Sequence, residues 1–253
     1  MFKRAIVRRP CRNFINGLTS AGLGKPDYDQ ALEQHSIYIG TLKACGLEVA
    51  VLEADERYPD SVFVEDPAVV TDRLAVITRP GALSRRGEEI GIAEALKTYY
   101  PRLERIQAPG TLEGGDVMRA GERFFVGLSQ RTNREGFDQF ARILEKYGYA
   151  ATSVPLRHVL HLKTGLAYLE NNNLLAAGEF LSDPVFQDFR IIPIESGESY
   201  AANSIWVNGS VLVPEGFAKT RRAIINLGCP VLTLDVSEFR KLDGGLSCLS
   251  LRF

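Results

Sequence analysis

A module that recurs five times along the chain constrains its fold more than any other feature. In each copy a polar residue at a turn, usually an acid or an amide, opens a β-hairpin, and helical patterns separate most of the copies. Irregular repeats of this kind predict an array of similar units, as in a propeller or a barrel, with the polar turns gathered at one central site. Because strands alternate with helices, we expect an α/β array with one core and one functional mouth. The anchoring residues are Glu65-Asp66, Glu113 to Asp116, Glu170 to Asn172, Asn203, and Asp243 to Gly245 with Cys248.

Composition and charge exclude several classes of function. The chain has 253 residues and a formal net charge of −1 at pH 7, so it has no overall attraction for nucleic acid or an anionic membrane. No apolar run approaches the roughly 18 residues of a membrane span, and the chain starts with a strand-like run where a signal peptide would have its apolar region. The four cysteines are scattered, which argues against structural zinc and favours a reducing, cytoplasmic location. We therefore expect residues 1–253 to form a single α/β domain.

The last segment, Lys241 to Phe253, contains the first candidate for catalysis. Asp243 and the two glycines after it are typical of a turn, because both glycines can adopt positive φ and let backbone approach closely. Leu246 to Leu251 then alternates apolar and small polar residues, which predicts a half-buried strand. Cys248 on this strand is a candidate nucleophile. The alternative is a small core residue, since free cysteine is often buried.

His161 is the best candidate for a catalytic base among the three histidines. It lies between Leu160 and Leu162, so in a strand it points away from the apolar face, where it could enter a cavity. We place it ahead of His35 and His158. For His35, which falls on or near the apolar stripe of a predicted helix, a structural role is the better interpretation.

Acidic residues near the turns suggest a site for a cation. If the turns converge, the site holds Asp60, Glu65, Asp66 and Glu113, and carboxylates in a cavity are costly unless they meet a positive charge. A planar guanidinium fits, because its N–H groups bind carboxylates in bidentate pairs. Cys248 could then attack the central guanidinium carbon. Solvated acids at the end of a strand are the alternative, since neighbours on a strand such as Glu65 and Asp66 point to opposite faces.

Two arginines are candidates for binding the other end of such a substrate. Arg85 lies in a loop predicted from Pro80 to Arg86, and Arg131 precedes a helix whose capping box is predicted at Thr132 to Glu135. Both could bind a substrate carboxylate. For Arg131 the spacing alone favours a surface charge instead.

Five segments carry a family resemblance: SVFVEDP at Ser61 to Pro67, SRRGE at Ser84 to Glu88, APGTLEGGD at Ala108 to Asp116, HLKTGLAYLENNNLLAAGE at His161 to Glu179, and KLDGGLSCLSLRF at Lys241 to Phe253. Together they resemble the dimethylarginine dimethylaminohydrolases, within the guanidine-modifying superfamily of amidinotransferases and arginine deiminases. The resemblance covers essentially the whole chain, and the combination is highly specific although each segment alone is weak. It implies a fivefold pseudosymmetric α/β propeller, the pentein-like fold, in agreement with the repeat.

The resemblance also implies a role for individual residues. Cys248 would be the nucleophile, His161 would protonate the departing amine and then activate water, and Glu113 would orient the guanidinium and support His161. Asp66 would also bind the guanidinium. Leu18 lies in a loop from Asn16 to Pro26 that would act as a lid. The other implied substrate contacts are Leu18 and Leu242, largely through backbone, and Asp60, Glu65, Arg85 and Arg131.

The implied reaction is hydrolysis of Nω-methylated arginines, such as asymmetric dimethylarginine and monomethylarginine. It would yield citrulline and dimethylamine or methylamine through a covalent cysteine thiouronium, without metal or other cofactor. The implied partner is this small molecule, not nucleic acid or membrane, and a homodimer is possible. An arginine deiminase releasing ammonia is one alternative, although those enzymes typically have an inserted helical region for which this chain has no room. A non-enzymatic propeller binding protein is another, but it would not need Cys248, His161 and Glu113.

Overall fold

The computed structural model describes all residues, 1–253, and contains fifteen strands and six helices, joined by loops and short 3₁₀ turns. The strands are β1 (Arg4–Arg8), β2 (Glu48–Leu52), β3 (Ala68–Val70), β4 (Ala75–Ile77), β5 (Leu103–Arg105), β6 (Val117–Ala120), β7 (Arg123–Leu128), β8 (Ala150–Pro155), β9 (Leu166–Tyr168), β10 (Asn173–Ala176), β11 (Arg190–Pro193), β12 (Ile205–Val207), β13 (Ser210–Pro214), β14 (Val231–Leu234) and β15 (Leu251–Arg252). The helices are α1 (Tyr28–Ala44), α2 (Glu88–Lys97), α3 (Arg134–Glu145), α4 (Leu162–Gly165), α5 (Ala218–Ile225) and α6 (Ser237–Arg240).

The strands form five three-stranded sheets that share one topology. In each sheet the central strand pairs antiparallel with one neighbour and parallel with the other. Parallel pairing needs a crossover, and helices α1, α2, α3 and α5 provide it in four of the sheets. The α/β class and the five similar modules predicted from the sequence are confirmed. The strand orders are β3-β4-β5, β6-β7-β8, β11-β10-β9, β12-β13-β14 and β15-β1-β2.

The chain divides into two compact units. The terminal unit comprises Met1–Val64 and Asn203–Phe253, and the central unit comprises Glu65–Ala202. Sheets β15-β1-β2 and β12-β13-β14 belong to the terminal unit, and the other three sheets belong to the central unit. That residues 1–253 act as one domain stays a prediction. None of the helices combines the length and apolar character that a membrane crossing requires.

Aromatic side chains fill the core of each unit. In the terminal unit the rings of Phe14, Phe63 and Phe239 lie 5.4 to 6.4 Å apart between centroids. In the central unit Phe124 of β7 meets Phe140 of α3 edge to face at 5.8 Å. Fully burying such a ring contributes about 1.5–3 kcal/mol, so these contacts fix helices and turns against the sheets that carry the polar residues described below.

Helix α3 begins one residue later than its sequence signal predicted. The side chain of Asn133, not Thr132, caps the helix by accepting the N–H of Gly136 at 2.8 Å. The hydroxyl of Thr132 instead accepts the N–H of Glu113 at 3.1 Å. The predicted capping box is therefore wrong, because the Thr132 hydroxyl binds the distant N–H of Glu113 and does not cap the helix.

Candidate active site

A polar residue precedes each hairpin of the repeated module. In the central unit Asp66 precedes β3, Glu113 precedes β6 and His161 precedes β9. In the terminal unit Asn203 precedes β12, and Cys248 precedes the short strand β15. The module therefore delivers functional side chains at the same point of each sheet.

The predicted anchor at Glu170 is wrong, because this residue lies in the turn between β9 and β10. Glu170, Asn171 and Asn172 have φ angles of 66°, 50° and 63°. Asparagine tolerates this left-handed conformation better than most residues, so the polar run reflects turn chemistry. The residue of this module that corresponds to the other anchors is His161.

His161 does not lie on a strand, and that prediction is wrong. It is the residue before α4, so Leu160 and Leu162 belong to a loop end and a helix start. The imidazole Nε2 of His161 lies 2.8 Å from Oε2 of Glu113, whose side chain is fully buried. The contact between His161 and Glu113 that the resemblance implies is present.

The electrostatics of this pair favour an imidazolium and a carboxylate at neutral pH. Burial alone would lower the pKa of His161, but the charges of Asp116, Asp66 and Glu113 raise it to about 9. Burial alone would raise the pKa of Glu113, but the hydrogen bond from His161 and nearby positive charges lower it to about 2. A proton is therefore held on the imidazole, where it can be donated.

The glycine pair in the segment EGGD gives the backbone close access to these groups. A Cβ on Gly115 would lie 2.8 Å from Nδ1 of His161 and 2.8 Å from Oδ1 of Asp66. The N–H of Gly115 donates to the same Asp66 oxygen at 2.9 Å. A Cβ on Gly114 would lie 2.0 Å from the carbonyl oxygen of Glu65. Both glycines therefore let the backbone approach these groups closely.

Asp66 and Arg85 form a buried ion pair that a third residue completes. Nη1 of Arg85 donates to Oδ2 of Asp66, and the other edge of the guanidinium binds Glu88 at 2.7 to 3.2 Å. The pKa of Arg85 is raised, since the charges of Glu88 and Asp66 outweigh the effect of burial. Glu88 was not singled out in the sequence, although Arg85 and Glu88 have the i, i+3 spacing of a local pair.

Arg131 and Glu65 each meet a partner of opposite charge. Nη1 of Arg131 lies 3.5 Å from Oε1 of Glu113, and its side chain is only 21% exposed, so the surface-charge interpretation is wrong. The ammonium of Lys163 binds Oε1 of Glu65. Lys163 was missed because a lone lysine in a sequence gives no functional signal. Glu65 and Asp66 lie in turns, not on a strand.

Asp66, Glu113 and His161 present ligand-type atoms within 4.8 Å of one another, but they do not fit a metal ion well. Asp66 already binds Arg85 and the N–H of Gly115, and Glu113 already binds His161. The positive charges of Arg85 and of the protonated His161 also oppose a doubly charged metal ion more strongly than a singly charged organic cation. The three groups form an ion-pair network in which a small cationic group could exchange partners.

Cys248 lies in a 3₁₀ turn, Ser247–Leu249, so the predicted strand from Leu246 to Leu251 is wrong. Leu246 and Leu249 are both fully buried, and this spacing of three is helical. Sγ of Cys248 is half-buried and accepts the N–H of Gly245 at 3.4 Å. A donor at this position stabilises negative charge on the sulfur.

The two glycines before Cys248 serve close packing rather than positive φ. A Cβ on Gly244 would lie 2.3 Å from the ring of Phe63, and one on Gly245 would lie 2.5 Å from Asn203. The left-handed residue is Asp243, with a φ of 57°. The expected positive φ at the glycines is therefore wrong, while the expected close approach is confirmed.

Asn203 fixes the backbone beside the cysteine. Its Oδ1 accepts the N–H of Ser247 at 2.8 Å, and its Nδ2 donates to the Ser247 hydroxyl at 3.0 Å. Both contacts bind the residue immediately before Cys248. An amide suits this position because it can both accept and donate a hydrogen bond. Asn203 and Ser247 are 44 positions apart in the sequence, so this contact was not predictable.

Asp60, Leu18 and Leu242 come together in the terminal unit. Oδ1 of Asp60 accepts the N–H of Leu18 at 3.0 Å. A Cβ on Gly17 would lie 2.8 Å from Leu242 and 2.9 Å from Asp60, so Gly17 lets the three approach. Leu18 is 40% exposed, whereas Leu242 is buried.

The loop after Gly17 is held down by further contacts within the terminal unit. Oγ1 of Thr19 donates to the carbonyl of Lys241 at 2.7 Å. Oδ2 of Asp243 accepts the N–H of Ser20 at 2.6 Å and its hydroxyl at 3.0 Å. The start of the predicted lid is therefore bound to Lys241 and Asp243, which shortly precede Cys248 in the sequence. Asp243 was seen in the sequence only as a turn former.

Comparison with known proteins agrees with these features. A model of the family described as N,N dimethylarginine dimethylhydrolase, eukaryotic, matches residues 25–184. The chain is 58% identical to the N(G),N(G)-dimethylarginine dimethylaminohydrolase of Pseudomonas aeruginosa, over the full length of both. A Cys-to-Ser variant of that enzyme, solved in complex with citrulline, has a TM-score of 0.99 and 58% identity, with both chains fully covered.

A second solved structure adds a covalent complex. It is the adduct of a His-to-Gly variant of a dimethylarginine dimethylaminohydrolase with S-methyl-L-thiocitrulline, and it has a TM-score of 0.99 and 58% identity over the full length of both chains. Identity at this level over the whole length, together with the match to the family model, is sufficient to assign the chain to a family. The chain belongs to the dimethylarginine dimethylaminohydrolase family.

Proposed function

We propose that this protein hydrolyses Nω-methylated arginines, namely asymmetric dimethylarginine and monomethylarginine, to citrulline and dimethylamine or methylamine. The observation that carries the proposal is the buried His161–Glu113 pair, which holds a transferable proton beside acids suited to a guanidinium. The chain is 58% identical over its full length to a dimethylarginine dimethylaminohydrolase, which supports the same substrate class.

The proposed first half-reaction is transfer of the amidine carbon to sulfur. The thiolate of Cys248 adds to the guanidinium carbon and forms a C–S bond. The C–N bond to the methylated nitrogen then breaks, and His161 donates its proton to the departing amine. The product on the enzyme is an S-alkylthiouronium. The adduct with S-methyl-L-thiocitrulline seen in a relative supports a covalent step.

The proposed second half-reaction uses water. The imidazole of His161, now neutral, takes a proton from water as the oxygen adds to the thiouronium carbon. The C–S bond then breaks as the remaining hydroxyl proton passes to solvent, where the released amine takes up a proton. Citrulline leaves, and the thiolate and imidazolium are restored. Glu113 stabilises the imidazolium in both halves through the 2.8 Å hydrogen bond.

Substrate binding is proposed to use the ion-pair network. The guanidinium binds Asp66 and Glu113, both of which already bind cationic side chains in this structure. Arg85 and Arg131 are proposed to bind the substrate carboxylate. The remaining proposed contacts are Asp60, Glu65 and the backbone of Leu18 and Leu242.

We further propose that the five sheets build the fivefold pseudosymmetric α/β propeller, and that residues 1–253 act as one catalytic domain. Their shared topology supports the first point, because equivalent modules can repeat around an axis. A cytoplasmic location and a homodimer stay predictions.

Product analysis tests the proposed function. The protein is incubated separately with asymmetric dimethylarginine, monomethylarginine and arginine, and citrulline, methylamines and ammonia are quantified. We expect citrulline with an equal amount of dimethylamine or methylamine from the methylated substrates. Equal citrulline from arginine, with ammonia, would indicate a deiminase, and no product from any guanidine would favour a binding protein.

A further inference from the structure

Asp116 is a fully buried acid that the proposed reaction does not use. It follows Glu113 and the two glycines, and its side chain lies in the central unit. Its Oδ1 accepts the N–H of Leu162, the residue after His161, at 3.0 Å. Its Oδ2 accepts the hydroxyl hydrogen of Ser129 at 2.7 Å. One carboxylate therefore binds two segments that are distant in sequence.

The contact with Ser129 extends to two more residues of the site. Oγ of Ser129 accepts the N–H of Arg131 at 2.9 Å and the N–H of Thr132 at 3.1 Å. Oγ1 of Thr132 in turn accepts the N–H of Glu113 at 3.1 Å. The backbone beside His161 and that of Arg131 and Glu113 thus belong to one hydrogen-bond network that starts at Asp116.

Two destabilising features at this point indicate that the carboxylate does more than fill space. Burial raises the pKa of Asp116, which means that its charge is costly to hold there. Gly127 in strand β7 makes room at this point, since a Cβ there would lie 2.7 Å from the side chain of Leu156 and 2.9 Å from Oδ1 of Asp116. Glycine inside a strand weakens the strand. Both features cost stability at the point where the network starts.

We propose that Asp116 is a positioning residue of the reaction, which fixes the backbone that carries His161 through Leu162 and the backbone that carries Arg131 through Ser129. The proposal rests on the proposed function for its kinetic consequences only. Asp116 does not touch the reacting atoms. It acts through the placement of groups that do, in addition to its charge, which helps to raise the pKa of His161.

The two contacts of Asp116 can be separated by substitution. In Asp116→Asn only one oxygen remains, so the side chain cannot accept from both the Leu162 N–H and the Ser129 hydroxyl. We expect kcat to fall about 10- to 100-fold, because small misplacement of a catalytic group is costly. In Ser129→Ala the support of Arg131 is lost while the contact with Leu162 remains, so we expect KM to rise more than kcat falls.

Thr71 provides a matched control in the same unit. Its Oγ1 accepts the N–H of Arg73 and that of Leu74, both at 3.0 Å, which is the pattern that Ser129 makes with the residues two and three positions later. Thr71→Ala therefore removes an equivalent turn contact away from His161. We expect kcat and KM of this variant to stay close to wild type, even if its free energy of unfolding falls as much as that of Ser129→Ala.

A readout without turnover separates this inference from the proposed function. The chain has three histidines, so ¹⁵N-histidine labelling gives few imidazole signals, and the spectrum of His161→Gln assigns that of His161. Because loss of the Asp116 charge alone lowers the pKa of His161, the signals are compared at the fully protonated and fully deprotonated limits of a pH titration. We expect Asp116→Asn to shift the His161 signals at these limits and Thr71→Ala to leave them unchanged. Inactivity of the wild type towards every guanidine would overturn the proposed function, while the spectra would still test the positioning.

Unchanged His161 signals together with wild-type kcat and KM in Asp116→Asn would overturn the inference. If Asp116→Asn does not fold, Ser129→Ala decides the question. Kinetic constants of Ser129→Ala that match those of Thr71→Ala would overturn it as well.

Discussion

Nε2 of His161 and Oε2 of Glu113 are 2.8 Å apart, although the two residues are 48 positions apart in the sequence. The carboxylate is fully buried and the imidazole nearly so. Their pKa values move in opposite directions, to about 9 for His161 and about 2 for Glu113. Each group thus stabilises the charged form of the other.

Glu113→Gln should lower the pKa of His161 and change the pH dependence of stability. The pair stabilises the fold between about pH 4.5, the ordinary pKa of Glu113, and about 6.5, that of His161, and this stabilisation is lost as pH rises through about 9. Urea denaturation should therefore show the largest difference between wild type and variant near pH 5 to 6.5, and a small one above pH 9. A difference that stays constant to pH 10 would contradict this account.

His35 should make the terminal unit sensitive to acid. It is buried on α1 against Phe239, its Nε2 has no hydrogen-bond partner, and burial with the charge of Arg9 lowers its pKa to about 4. Between pH 6.5 and 4 the unfolded chain binds a proton that the folded chain does not, so stability falls by up to about 1.4 kcal/mol per pH unit.

His35→Leu should remove this part of the slope in denaturation measured from pH 7 to 4.5. The exposed His158 supplies the control, because His158→Gln should leave the slope as in wild type. Equal slopes in wild type and His35→Leu would show that His35 is not the group responsible.

Asp243 should control the loop that begins at Gly17. Asp243→Gly removes both contacts with Ser20 while glycine accepts the left-handed backbone at no steric cost, so we expect little change in the free energy of unfolding. We expect a higher KM and faster proteolysis within residues 18–26. Asp243→Asn keeps an acceptor and tolerates the conformation, so it should resemble wild type. A wild-type KM and cleavage rate in the glycine variant would show that the contacts of Asp243 with Ser20 do not hold this loop.

Gly245→Ala and Gly40→Ala should change stability in opposite directions. A Cβ at 245 would lie 2.5 Å from Asn203, so we expect a loss of about 1–3 kcal/mol and of activity as the Asn203–Ser247 contacts break. A Cβ at 40, in helix α1, meets nothing within 4 Å, so we expect a gain of about 0.5–1 kcal/mol. Denaturation and kcat measured on both variants check this, and equal effects would show that packing at 245 is not limiting.

The sequence was a good guide to the modules and a poor guide to the conformation at their polar ends. Hairpins and helices follow local periodicity, so five similar units were predictable. His161 immediately precedes a helical turn and Cys248 lies in one, and the neighbouring leucines imitate the alternation of a strand. The backbone conformation of these candidate residues was therefore the part that local patterns predicted least well.

The supporting residues were hidden for a different reason. Lys163 acts through a partner that the fold brings close, and a single sequence carries no signal for such a pair. The contact of Asn203 with Ser247 was hidden for the same reason, although Asn203 itself was an anchor of the repeat. Glu88 was missed although its spacing from Arg85 is that of a local pair. Arg131 illustrates the same limit. Its spacing favours a surface charge, but the turn held by Ser129 directs it towards Glu113.

Trapping the covalent intermediate tests the central claim most directly. His161→Gly lacks the proposed base for hydrolysis, so treatment with S-methyl-L-thiocitrulline should leave an adduct that peptide mass spectrometry locates. We predict a mass increase on the peptide containing Cys248, and none when Cys248→Ser is also present. An adduct on Cys11, Cys45 or Cys229 instead, or no adduct at all, would contradict the assignment of the nucleophile.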